Sequence, residues 1–148
     1  MKSFNRERFR AFIGDVVIMA KLKILSADYP KTIPVPNMKK NRLLEPITVN
    51  WVDKNGLHKK FTIQQGKHSD GASIPKIFWT VIGDPFNPRF ARAAWFHDYM
   101  AHRGADQKEV SEVFYRLLLE DGTNRIKANL MKYAVWIFVS LYYKLTKS

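Results

Sequence analysis

The stretch ITVNWVDKNGLHKKFTI, residues 47–63, sets the architecture expected of this chain. Ile47, Val49 and Trp51 alternate with polar residues, Asn55-Gly56 supplies a pair suited to positive φ, and Phe61 and Ile63 alternate on the return. That is the pattern of a β-hairpin with one apolar face, which forms one wall of a core. Downstream, the apolar period changes from two to nearly four, so helices follow the strands.

The reading extends from this hairpin in both directions. Upstream, Val16-Val17-Ile18-Met19 with Leu22 and Ile24-Leu25 reads as a first strand, and Pro30, Pro34 and Pro36 break the segment from Tyr29 to Asn41 into an expected loop. Downstream, Pro75 to Ile82 reads as a short helix ended by Gly83. Asn87 before Pro88 starts a second helix carrying Ala91, Ala94 and Trp95 towards His97 and Asp98. Asp106 with Glu109 is a capping box for a third helix, in which Val110, Val113, Phe114, Leu117 and Leu118 form an apolar stripe ended near Gly122. Thr123 or Asn124 caps a last helix running to about Leu145. The expected fold is α+β, with a small antiparallel sheet in the N-terminal half followed by about four helices. Residues 1–41 form a basic strand and Pro-rich loop region, and 42–148 the globular part of one compact domain.

With 148 residues, 46% of them apolar, the chain can bury a real core. It has no cysteine, which excludes a disulfide framework, a thiolate zinc site and a cysteine nucleophile. The net charge of +12 favours encounter with an acidic partner, and equally describes an ordinary solvated basic surface. Nothing matches the aromatic RNA-binding motifs or zinc fingers. The first ten residues lack the apolar core and cleavage site of a secretory signal, so synthesis in the cytoplasm without Sec export is expected. The most hydrophobic run, Tyr133 to Tyr143, falls short of the roughly 18 residues of a spanning helix. It reads as a buried helix, with core packing favoured over a place at a lipid surface.

Groups able to do chemistry gather in Ser69-Asp70-Gly71-Ala72-Ser73-Ile74-Pro75 and in Ala93-Ala94-Trp95-Phe96-His97-Asp98-Tyr99. On a strand His68 and Asp70 share a face, and on a helix Asp98 and His102 stand one turn apart. If the strand end meets the helix, His68, Asp70, His97, Asp98 and His102 offer nitrogen and oxygen ligands to one divalent metal ion. Such a centre could polarise an ester, amide or phosphate bond and activate water, with Asp70, Ser73, His97 and Asp98 as the candidate catalytic residues. Ser73, however, lacks the elbow pattern of a serine hydrolase. The alternative is a polar latch: Asp70-Gly71 as a turn, Ser73 as the cap of the helix near Pro75, and His97 and Asp98 bonded to the turn, to backbone or to His102. Buried polar groups are paired whatever their function, and the latch is the leading reading.

At these two motifs the chain resembles the phage and prophage family known as domain of unknown function 1353. In that family a strand ends in a Thr-Asp-Gly-Ala-Ser-Ile-Pro-like turn, followed by a short aromatic helix, a His-Asp-Tyr helix and two more helices. The resemblance runs from about Arg42 to Leu145. It departs at Ala101, where the family has an aromatic residue, and at Ser111, where it has an aspartate. Both missing groups would support a His-Asp site. The pair His97-Asp98 is also similar to the helical His-Asp pair of secreted phospholipases A2, without their flanking cysteines or glycine-rich calcium loop. The resemblance implies a phage- or prophage-derived basic protein, and the departures at Ala101 and Ser111 favour a non-catalytic virion- or tail-associated component meeting other virion proteins, nucleic acid or anionic lipid. The alternative is a small metal-assisted hydrolase of a cell-envelope or phosphate-containing substrate.

Overall fold

The computed structural model describes residues 21–38, 40–69, 88–101 and 106–146. They hold strands β1 (Lys23–Ala27), β2 (Thr32–Pro34), β3 (Asn41–Leu43), β4 (Ile47–Val52), β5 (His58–Ile63) and β6 (His68–Ser69), then helices α1 (Pro88–Ala101), α2 (Gln107–Glu120) and α3 (Arg125–Thr146). The fold is α+β, with two small antiparallel sheets of order β1-β4-β5 and β2-β3-β6.

The hairpin forms in the expected register, with Ile47 opposite Ile63 and Val49 opposite Phe61, and Ile47, Val49, Trp51 and Ile63 face inward. Its turn differs in detail. Val52 pairs with His58, so residues 53–57 close the turn, and of Asn55 and Gly56 only the glycine has positive φ, at 86°. Asp53 supplies the rest: its Oδ1 accepts the N–H groups of Asn55 at 2.8 Å and Leu57 at 2.9 Å. This longer turn is closed with a single left-handed residue, where a two-residue type I′ turn needs both.

β1 begins at Lys23, later than the sequence pattern suggested, and Val16 to Met19 lie outside the described residues. The segment from Tyr29 to Asn41, expected as a loop, contains β2 and the start of β3. Pro34 is tolerated because β2 is an edge strand paired with β3 alone, where a missing N–H leaves no gap in the ladder.

Pro88 opens α1 at the position where its absent N–H costs nothing. Asp106 caps α2, its Oδ1 accepting the Lys108 N–H at 2.9 Å. Glu109 does not complete the capping box, because Trp51 and Lys59 engage its carboxylate. The chain leaves α2 through Gly122 at φ 96°, with the Thr123 N–H reaching the Leu118 carbonyl at 2.9 Å. Asn124 then caps α3, accepting the Lys127 N–H at 2.8 Å. The expected helix from Pro75 to Ile82 lies outside the described residues.

α2 packs between α1 and α3. Its stripe of Val110, Val113, Phe114, Leu117 and Leu118 is buried with Trp95 and Phe96 of α1 and with Ile47 and Val49 of β4. The last helix corrects the expectation of burial. α3 gives the core Ala128, Met131, Val135 and Val139, whereas Tyr133, Trp136, Ile137, Phe138 and Leu141 are exposed. Among the described residues α2 is its principal neighbour, and the stripe of α3 that α2 covers is the one that is buried.

Candidate functional site

α1 carries the His-Asp-Tyr motif through the core. His97 is 2% exposed, and its ring lies 5.1 Å from that of Phe114 at an interplanar angle of 59°. Asp98, next along the helix, is half-buried. One position further, the Tyr99 hydroxyl donates a hydrogen bond to the backbone carbonyl of His68 in β6. The Tyr99 ring stacks on that of Trp95 one helical turn back, with centroids 6.1 Å apart. The strand that ends at Ser69 therefore does meet the His-Asp helix, and Tyr99 makes the join.

The two imidazoles of the joined elements differ in exposure. The side chain of His68 is exposed while Ser69 beside it and His97 are buried. Among the described residues no group of three or more His, Asp or Glu could hold a metal ion. His68, His97 and Asp98 thus do not make a cation site by themselves. Asp70, Ser73 and His102, the other predicted site residues, lie outside the described residues. Ala101 and Ser111, where the chain departs from the family pattern, are both buried, and the Ser111 hydroxyl is spent on the Lys108 carbonyl at 2.9 Å.

Two charged clusters escaped the sequence reading. Arg92, 3% exposed on α1, reaches the Ala27 carbonyl at 2.8 Å, Glu120 at 2.8 Å and both carboxylate oxygens of Asp121, at 2.9 and 3.1 Å. Its guanidinium sits 4.1 Å from the centroid of the Tyr29 ring, whose hydroxyl donates to Asp121 at 2.7 Å. That bond to a carboxylate raises the Tyr29 pKa. The signal in the sequence was a lone arginine among Phe90, Ala93, Ala94 and Trp95, since a charge on a buried helix face must find a partner.

The second cluster joins the hairpin to α2. Glu109 accepts from Trp51 Nε1 at 2.9 Å and from Lys59 Nζ at 2.8 Å, and Lys59 also lies 3.1 Å from Asp53. Two clefts of about 320 and 300 Å³ adjoin it, sharing Lys59, Asp106 and Glu109. The bond to Glu109, then that to Asp53, raises the Lys59 pKa, while the backbone N–H of Leu57 leads the groups that lower that of Asp53. Lys59, held as ammonium between Glu109 and Asp53, makes an ion-pair lock between the hairpin and α2.

No solved structure matches the chain. It is 33% identical over 107 residues to the uncharacterized protein y4iH of Sinorhizobium fredii (strain NBRC 101917 / NGR234), covering 72% of this chain and 44% of that relative. It is 36% identical over 84 residues to the uncharacterized protein y4jT of the same organism, covering 56% of this chain and 24% of that one. The chain thus spans less than half the length of either relative. The family model described as "Protein of unknown function (DUF1353)" matches residues 42–135, from β3 into α3 and through both motifs. The chain belongs to the DUF1353 family.

Proposed function

We propose that this protein is a non-catalytic interaction component of phage or prophage origin, associated with the virion or its tail and docking on an acidic partner. The observation that carries the reading is the packing of the His-Asp-Tyr segment. His97 is buried against Phe114, and Tyr99 ties α1 to β6, the strand that precedes Asp70. That packing supports a latch between the strand end and the helix, and an imidazole buried against an aromatic ring is poorly placed to accept a proton from a water molecule at a substrate. The net charge of +12 supports the acidic partner. The phage origin rests on the resemblance of both motifs. The test is fractionation of phage particles carrying the protein. Co-purification in stoichiometric amount, retained by His97→Ala once folding is verified, is expected; absence from particles sinks the reading.

A metal-assisted hydrolase is the second reading, favoured by one observation: Tyr99 brings the strand end preceding Asp70 to the helix bearing His97 and Asp98. One divalent ion held by His68, Asp70, His97, Asp98 and His102 would polarise the scissile bond there. Thermal unfolding across a series of divalent metals separates the two. Selective stabilisation lost in Asp98→Ala supports the metal site, and no metal response supports the latch.

A further inference from the structure

We infer that the outward face of α3 is a contact surface for anionic lipid, on which the helix lies along the bilayer interface. The inference rests on the interaction reading above, for which it supplies the chemistry of the partner.

α3 has two apolar faces. Ala128, Met131, Val135 and Val139, spaced by three and four, turn inward onto α2. At roughly 100° per residue, Ile126, Leu130, Tyr133, Ile137 and Leu141 fall on the opposite side. Ile126 is 77% exposed and Ile137 55%. Trp136 and Phe138, partly exposed, widen this outward arc to about 200°. The outward face of a surface helix is ordinarily polar, so an exposed apolar stripe of this length marks a contact site. From Arg125 onward the chain contains no Asp or Glu; Arg125 and Lys127 border the arc and Lys144 ends it, while Lys132 turns to α2 and pairs with Glu112 at 3.4 Å.

Charge and shape select the partner. A second copy would bring two carboxylate-free helices together and set like charges side by side. The spacing argues the same way: Ile126, Leu130, Tyr133 and Ile137 follow a heptad seam, but its next positions are Ser140 and Lys144. Nucleic acid offers phosphates and has no apolar layer to receive Leu130, Ile137 and Leu141. A single acidic helix would cover a narrow seam and leave Trp136 or Phe138 in water. An anionic bilayer interface offers an acyl boundary broad enough for the whole arc together with phosphate for the flanking cations, and its headgroup level suits Tyr133 and Trp136, whose rings lie 6.3 Å apart. Among the described residues no helix is long and apolar enough to cross a membrane, so α3 lies in the plane.

The experiment is co-sedimentation of the full chain with vesicles of phosphatidylcholine alone and of phosphatidylcholine with phosphatidylglycerol, at low and high salt. Binding is expected only where phosphatidylglycerol is present, with part of it surviving high salt because the apolar contact is not screened. The triple variant Leu130→Ser, Ile137→Ser and Leu141→Ser, which alters exposed side chains, should keep the wild-type melting temperature and bind roughly tenfold or more weakly. Independently of that variant's folding, the wild type should show a blue shift of tryptophan emission on binding that Trp136→Phe diminishes. Absence of vesicle binding, binding fully abolished by salt, or equal binding by the triple variant overturns the inference. So does a concentration-dependent dimer that the triple variant dissociates, which would assign the face to a second copy. Failure on vesicles with co-purification in particles removes the lipid partner alone, and vesicle binding without particle association removes the virion reading.

Discussion

Arg92 places a full charge on the most deeply buried helix of the described core, and every bond it makes reaches another element. Its guanidinium grips both oxygens of Asp121 at the end of α2 and the last carbonyl of β1. Removing it strands Asp121, itself only 4% exposed in its side chain, without its cation. Arg92→Met should therefore cost about 3–5 kcal/mol in denaturant unfolding. Arg92→Lys keeps the charge and loses the planar fork, so it should also destabilise clearly; a lysine variant indistinguishable from wild type would refute the bidentate role. Asp53 predicts a pH effect. Its pKa is lowered in the folded state, chiefly by the Leu57 N–H, so its contribution is fully present above the unfolded value of about 3.9 and is lost as pH falls through the lower folded value. Lys59, raised by Glu109, contributes below an unfolded value of about 10.4 and loses that contribution as pH rises through the higher folded one. Thermal unfolding followed against pH should then show a plateau through neutrality, with an acid limb that is shallower in Asp53→Asn. At this scale the reading of the sequence passed over Arg92, and its partner was beyond reach in any case, because Asp121 lies 29 residues away and only packing brings it near.

Local physical chemistry settled the elements where one side chain could do the work alone. The cap of α2 was legible, and that of α3 to within Thr123 or Asn124, because Asp106 and Asn124 each satisfy a backbone N–H within their own first turn. Asn124→Ala should accordingly cost about 1 kcal/mol in urea unfolding. Gly122, at φ 96° with nothing within 4 Å of the place a Cβ would take, isolates the cost of backbone conformation from any clash. Gly122→Ala should destabilise by about 1–2 kcal/mol, and a neutral result would show that the α2–α3 turn can re-form without a left-handed residue. Where neighbours decide the outcome, the sequence was ambiguous. Prolines made the β2 segment look irregular, but an edge strand asks less of its N–H groups than a central one. Apolar residues nearly encircle α3, and which of them would be buried depended on the side that α2 covers.

Across the whole molecule, the question left open by the sequence was whether the strand-end motif and the His-Asp-Tyr helix meet. They do at Tyr99, a residue given no role in the candidate site, because spacing along a chain shows which groups share a face and not which backbone atom a distant hydroxyl will find. Asp70, Ser73 and His102 lie outside the described residues, so the join is seen through His68 and Tyr99 alone. If that join is a latch, it should govern the β2-β3-β6 sheet and leave the β1-β4-β5 sheet untouched, since the latter is held separately through Glu109 and Arg92. Tyr99→Phe deletes the hydroxyl and keeps a ring to stack on Trp95, so its cost should be about 0.5–1.5 kcal/mol. The loss should be local. Native-state hydrogen exchange should quicken at the amides of Leu43 and Gly66, which bond the Lys67 and Leu43 carbonyls beside β6, while amides of the β4–β5 hairpin exchange as in wild type. Equal acceleration in both sheets would mean that they open as one unit, and the His-Asp-Tyr helix would then be ordinary core with no latching role of its own.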